Sequence, residues 1–122
     1  YDVLPTLCDV AGIDVPAETD GISFVPELLG ESQPGHQLLY WEFPAYGGQQ
    51  AVRIGPWKAV RQEILQGNMD IELYHLERDI QETHDVANNH PGIVKQMENI
   101  MQKEHRHDQI LRFRMEQLGD QL

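Results

Sequence analysis

The stretch AVRIGPWKAVR, residues 51–61, decides the fold because it joins two β-strand patterns through a two-residue turn. Apolar and polar residues alternate on both sides of Gly55 and Pro56, as they do in strands with one buried face. Glycine at the first central position suits a type II′ turn. The stretch therefore predicts a β-hairpin with three cross-strand pairs: Ile54–Trp57, Arg53–Lys58 and Val52–Ala59.

The two faces of this hairpin differ in character. Alternation assigns four residues to the core face: Val52, Ile54, Trp57 and Ala59. Arg53 and Lys58 lie directly opposite each other on the other face, where like charges are destabilising. We therefore expect an anionic group beside them. It is either a carboxylate from a neighbouring strand, or a bound sulfate, phosphate or carboxylate ligand. The candidate carboxylates are Glu42, Glu63 and Glu72.

Strand patterns surround the hairpin. Residues 37–43, 50–54, 57–63 and 71–76 are rich in β-branched and aromatic residues, and their short connections carry Gly, Pro or Asn. Sequential strands with short links favour an antiparallel meander. Trp41 and Trp57 are expected in the core. Val94, Met97, Ile100 and Met101 mark one face of a following helix.

Helix and loop signals precede the strands. Asp2 is an N-cap candidate for a helix over 3–11, and Gly12 is a plausible stop. Pro and Gly residues punctuate 13–37, where only one helical turn is expected, around 25–30. The predicted fold class is α+β: a small four-stranded antiparallel sheet packed by a C-terminal helix, after a short helix and a long loop. Its segments are 1–36, 37–104 and a helical tail, 105–122.

Composition excludes several classes of protein. The chain has 20 acidic and 9 basic residues and a formal charge of −11, which argues against a general nucleic-acid binder. No apolar run approaches the roughly 20 residues of a membrane span. Cys8 is alone, so we expect a buried, inert thiol and no disulfide. Because the chain begins with Tyr1 rather than Met, we expect a processed or partial polypeptide.

The histidines do not predict a metal site. His105 and His107 are two residues apart, and on a helix their rings would point about 200° apart. His84 and His90 flank a polar loop, but their spacing matches no zinc pattern. His90 before Pro91 instead indicates a helix start. Phosphate loops, nucleophile elbows and paired cysteines are missing from the sequence, so we predict no catalytic residue in this chain.

The order of five blocks is more specific than any one of them. They are DVLPTLCDVAGIDVP (2–16), DGISFVPELLGE (20–31), LYWEF (39–43), GGQQAVRIGPWKAV (47–60) and ELYHLERDIQETHDVANNHP (72–91). In this order they resemble the C-terminal portion of the type I sulfatases, the formylglycine-dependent arylsulfatase family. The resemblance covers roughly residues 2–104.

The resemblance implies a C-terminal subdomain of a sulfuric ester hydrolase, without the groups that cleave the sulfate ester. In the family, the cysteine that becomes formylglycine lies in a C-x-P-S-R type motif near the N-terminus, and the calcium ligands also precede the matched segment. Cys8 is followed by Asp9 and is not this nucleophile. The implied partner is a missing N-terminal catalytic core, the implied substrate a sulfated carbohydrate, and the implied location periplasmic or secreted. We expect the chain alone to be inactive.

Four residues are predicted to contact substrate. Arg53 and Lys58 lie on the hairpin, and Tyr46 and Gln49 lie in the loop EFPAYGGQQ, residues 42–50. Relatives with YWEF often continue with His and an acidic residue, whereas Pro44 and an alanine follow here. That departure weakens the prediction of a substrate contact at this point.

Two alternatives stay open. The first is a free-standing module that binds anionic glycans through Arg53, Lys58 and Arg61. The second is a phosphonate or phosphodiester hydrolase of the alkaline phosphatase superfamily. Whichever holds, helix 3–11 should expose Leu4 and Leu7 when no larger core covers it, and the isolated chain should then self-associate.

Overall fold

The computed structural model describes residues 1–121, which form two compact units, Tyr1–His36 and a second that begins at Gln37. The helices within this range are α1 (Val3–Ala11), α2 (Val25–Leu28) and α3 (Pro91–Glu104). The strands are β1 (Leu39–Phe43), β2 (Gln49–Ile54), β3 (Trp57–Arg61) and β4 (Glu72–His75). Single 3-10 turns lie at Ile64–Gln66, Ala87–Asn89, Leu111–Phe113 and Glu116–Leu118.

Helix α1 begins and ends as the sequence predicts, but Asp2 has a different task. Gly12 ends the helix with φ +66, the left-handed conformation that glycine adopts without steric cost. Asp2 occupies the N-cap position without a side-chain bond to the helix. Its carboxylate instead accepts the Ile22 N–H at 2.9 Å and contacts the His36 ring at 2.8 Å. Asp2 therefore fastens the 13–36 loop to the start of α1.

The two sides of α1 are unequally buried. Pro5, Thr6 and Cys8 are buried, and the Thr6 hydroxyl accepts the Phe24 N–H at 3.0 Å. The opposite side exposes four apolar residues by half or more of their surface: Val3, Leu4, Leu7 and Val10. The expected exposure of Leu4 and Leu7 is confirmed. No helix within residues 1–121 has the length and apolar character needed to cross a membrane.

The sheet is an antiparallel meander in the order β1-β2-β3-β4. The three predicted hairpin pairs, Ile54–Trp57, Arg53–Lys58 and Val52–Ala59, are confirmed. Gly55 opens the turn with φ +52, as the type II′ prediction requires. The predicted four-stranded fold class is therefore confirmed.

Helix α3 covers the core face of the sheet. Five residues form the buried cluster: Val52, Ala59, Leu73, Met97 and Met101. Met97 and Met101 lie four residues apart and so share one face of the helix. The helix begins at Pro91 directly after His90, as the sequence predicts, because proline has no N–H to donate and suits the first helical position.

The tail does not form the predicted α-helix. It contains two single 3-10 turns, because side chains and carbonyl groups bond locally in place of a helical ladder. The Asp120 carboxylate accepts the Met115 N–H at 2.7 Å, and Arg114 Nε donates to the Asp108 carbonyl at 2.8 Å. Met115 in this folded tail is fully buried.

Candidate functional site

The outer face of the hairpin carries Arg53 and Lys58 side by side on β2 and β3. Lys58 Nζ lies 2.6 and 2.8 Å from the two carboxylate oxygens of Glu82. An anionic group therefore lies beside the pair, as expected, but it is Glu82, and the candidates Glu42, Glu63 and Glu72 are wrong. Glu82 lies in the turn after β4, and no strand alternation could have placed it beside Lys58.

Arg53 is the hairpin cation that stays accessible. Its side chain is exposed, and its Nε donates to the Gly55 carbonyl at 3.3 Å. Among residues 1–121 no carboxylate forms an ion pair with it. Because Glu82 already neutralises Lys58, Arg53 is the guanidinium on this face with donors to spare for an anion.

A shallow groove adjoins the two cations. Its volume is about 450 Å³, and its charged residues are Arg53, Lys58 and Glu82. Its remaining lining residues are Trp41, Ala51, Leu76 and Ile80. Trp41 is 40% exposed, so the expectation that it lies in the core is wrong, whereas Trp57 packs against the core as predicted. An indole beside a guanidinium offers an apolar surface and an anion-binding group together. We name this feature the Arg53 groove.

The other two predicted contacts lie differently. Gln49 lines a neighbouring cavity of about 170 Å³, which shares Trp41 and Lys58 with the Arg53 groove. Tyr46 is 84% exposed and stacks on Phe43, with ring centroids 6.0 Å apart, and it lines neither cavity. The structure thus brings Arg53, Lys58 and Gln49 to adjoining cavities and leaves Tyr46 outside them.

Arg61 does not join the other hairpin cations. It lies on the opposite side of the sheet and is 3% exposed. Its guanidinium donates to Gln50 Oε1 and to the Met69 carbonyl, both at 3.0 Å, and lies 3.8 Å from Glu98. Burial lowers the pKa of Arg61, and the nearby Glu98 carboxylate opposes that shift. The hypothesis that Arg53, Lys58 and Arg61 together bind an anionic glycan is therefore wrong.

A second polar cluster was missed by the sequence analysis. His105 Nε2 lies 3.1 Å from Asp120 Oδ1, and His107 Nδ1 hydrogen-bonds the same oxygen. The expectation that the two rings point apart assumed a helix, but α3 ends at Glu104 and His105 has ψ 134. In an extended chain the two imidazoles can converge. Asp120 is 15 residues from His105 in the sequence, and no local pattern around residue 105 predicts this contact.

The cofactor groups of the sulfatase resemblance do not fit this chain's residues. Cys8 is buried on α1 and precedes Asp9, so it cannot present the C-x-P-S-R type motif. Calcium prefers six to eight oxygen ligands. The His105, His107 and Asp120 cluster offers two imidazole nitrogens and is not a calcium site.

Comparison with known proteins decides the family. The family model described as "N-sulphoglucosamine sulphohydrolase, C-terminal" matches residues 1–108. The chain belongs to this family. It is a C-terminal sulfatase domain, as the order of the five sequence blocks predicts.

Individual sulfatases support this membership. Over 100 residues, 78% of the chain, it is 38% identical to a choline-sulfatase of Rhizobium meliloti and spans 19% of that protein. Over 32 residues, 26% of the chain, it is 69% identical to a Delta 4,5-hexuronate-2-O-sulfatase of Bacteroides thetaiotaomicron and spans 7% of it. The solved structure of a 2-O GAG sulfatase superposes with a TM-score of 0.70 at 34% identity. That match covers 84% of this chain and 23% of the solved chain.

Proposed function

We propose that this sulfatase domain belongs to a sulfuric ester hydrolase of sulfated carbohydrates and that its Arg53 groove borders the substrate entrance. The observation that carries the proposal is an exposed Arg53 without an ion pair in residues 1–121, beside the half-exposed Trp41. An exposed guanidinium next to an indole suits a ligand with an anionic group on an apolar ring face.

Each residue in or near the groove has a distinct role in this proposal. Arg53 presents its planar fork to a sulfate oxygen pair. Lys58, held by Glu82, stiffens the wall of the groove and contributes little net charge. Trp41 supplies the surface on which a sugar ring packs. Gln49 offers amide groups to sugar hydroxyls from the adjoining cavity. Tyr46 contacts substrate only through a longer oligosaccharide, since it lies outside both cavities.

Two of the three relatives described above support the substrate class. One matched protein is named a Delta 4,5-hexuronate-2-O-sulfatase and another a 2-O GAG sulfatase, and both names describe enzymes of sulfated sugars. We therefore favour a sulfated glycan as the substrate. Formylglycine and calcium would reside in an N-terminal catalytic core outside this chain. The chain contributes stability and part of the substrate surface, and by itself it should not turn over sulfate esters.

The exposed side of α1 is the proposed contact with that core. Val3, Leu4, Leu7 and Val10 form an apolar stripe at helical spacing that nothing in their own unit covers. Such stripes mark surfaces that pack against another protein layer. The catalytic core is the partner that membership in the sulfatase family implies.

The test compares two substrates in the complete enzyme. Arg53→Ala should raise KM for a sulfated oligosaccharide about tenfold or more, the worth of one charge-assisted hydrogen bond. It should leave kcat/KM for a small aryl sulfate unchanged, because so small a substrate does not extend from the catalytic centre to the Arg53 groove. Lys103→Ala removes an exposed cation from α3 and serves as the control. Unchanged kinetics on the oligosaccharide would contradict the proposal.

The same groove allows a second function, a free-standing module for anionic glycans. Salt-sensitive binding of a sulfated oligosaccharide by the 122-residue chain, lost in Arg53→Ala, would favour it. The choice between a sulfatase and a phosphoesterase of the same superfamily depends on the nucleophile in the catalytic core. A cysteine converted to formylglycine there would indicate a sulfatase, and threonine or serine a phosphoesterase.

A further inference from the structure

Two histidines and one aspartate converge where the tail folds back on the end of α3. His105, His107 and Asp120 each offer one potential ligand atom, and these three atoms all lie within 4.8 Å of one another. Ligands at 2.0–2.2 Å from a tetrahedral zinc ion are separated from each other by about 3.3–3.6 Å. His105 Nε2 and Asp120 Oδ1 lie 3.1 Å apart, so a small outward movement of either side chain would reach this separation. His107 is 67% exposed at its side chain and is free to adjust.

The surroundings of His105 select the atom that faces the centre of the cluster. His105 Nδ1 lies 2.9 Å from Glu42 Oε2 on β1, so this nitrogen donates its proton to the carboxylate. His105 Nε2 then faces the Asp120 carboxylate, and the contact is satisfied either by a proton on Nε2 or by a metal ion that both atoms bind. A carboxylate that orients the far nitrogen of a histidine is the usual support of a metal-binding imidazole.

Asp120 is similarly held in place. Its side chain is 1% exposed, and Oδ2 accepts the Met115 N–H at 2.7 Å. Oδ1 is thereby left to face the two imidazoles. A carboxylate buried to this extent is costly unless a positive charge compensates it. The open side of His107 leaves room for water as a fourth ligand.

We propose that His105, His107 and Asp120 bind a divalent transition metal ion of the zinc type, with Glu42 as the residue that orients His105. Two imidazole nitrogens and one carboxylate oxygen suit zinc and exclude calcium and magnesium, which prefer oxygen ligands. The ion would join the tail to the end of α3 and to β1. It is a structural site and independent of the proposed sulfatase activity.

The test is zinc binding to the full chain after chelator treatment and removal of the chelator. Calorimetric titration at pH 7.5 should show one high-affinity Zn²⁺ per chain and no comparable binding of Ca²⁺ or Mg²⁺. Co²⁺ in place of zinc should give the visible absorption of a four-coordinate site. Thermal unfolding should shift upward with Zn²⁺, because the ion binds the folded chain.

Variants separate this site from adventitious binding. His107→Ala removes an exposed ligand without disturbing the core and should weaken Zn²⁺ binding at least about tenfold. Glu42→Gln should weaken it by about 10–100-fold. His84→Ala removes an exposed histidine far from the cluster in sequence and should change nothing. Failure of the wild-type chain to bind Zn²⁺, or equal binding by His107→Ala, would overturn the proposal and leave a protonated His105 between two carboxylates.

Discussion

At the scale of single residues, the three hairpin cations have three different environments. Arg53 is exposed, Lys58 is neutralised by Glu82, and Arg61 is buried among polar partners. Residues 58 and 61 differ by an odd number of positions, so they lie on opposite faces of β3. The strand period explains why a cluster that looks continuous in sequence is divided in space.

Arg61→Ala should destabilise the chain much more than Arg53→Ala. Loss of the Arg61 guanidinium leaves the buried Gln50 Oε1 and the partly buried Met69 carbonyl without this donor. We expect a fall of about 2–4 kcal/mol in the free energy of unfolding. Arg53→Ala, at an exposed position, should stay within about 0.5 kcal/mol of the wild type. Urea denaturation measures both. Equal effects would show that burial of Arg61 does not matter for stability.

At the scale of elements, the turn between β1 and β2 packs closely against the C-terminal tail, and a glycine in the turn makes this packing possible. Gly48 has φ +79, and a Cβ atom there would lie 2.9 Å from Met115 Sδ and 3.2 Å from Ile64 Cβ. Gly48 N–H donates to the Ala45 carbonyl at 3.1 Å, which closes the turn. The glycine therefore permits both the backbone conformation and the packing of Met115.

Gly48→Ala should lower the free energy of unfolding by about 1–3 kcal/mol. The alanine would strain the backbone, which has a positive φ here, and its Cβ would crowd Met115 and Ile64. Gly35→Ala is the matched control, since Gly35 has no atom within 4 Å of a built Cβ and no positive φ. Thermal denaturation of the two variants should separate them by several degrees. A Gly48→Ala chain as stable as the control would mean that Met115 moves aside at little cost.

At the scale of the whole molecule, the apolar side of α1 is a surface that nothing in its own unit covers. Leu7 is 60% exposed in the middle of this stripe, between Leu4 and Val10. Water contact with several adjacent apolar side chains is unfavourable, and burying each is worth about 1.5–3 kcal/mol. The isolated chain should therefore associate with itself through this stripe.

Leu7→Glu should reduce that self-association, because it places a charge in the centre of the stripe. Light scattering over a range of protein concentrations should show oligomers of the wild type and a monomer of the variant. Leu111→Glu is the control, since Leu111 is equally exposed but lies in the tail. A wild-type chain that stays monomeric at high concentration would contradict the expectation.

Local residue patterns are enough to predict the sheet, the hairpin register, the limits of α1 and the start of α3. These features depend on alternation, turn chemistry and helix-end residues, which act over a few positions. The folded chain was needed to show that Glu82 neutralises Lys58, that Trp41 lines a groove, and that the tail forms 3-10 turns. It also decided the cluster around His105, whose partner Glu42 is 63 residues away. The path of the chain sets such contacts, because local patterns contain no information on which distant side chain arrives.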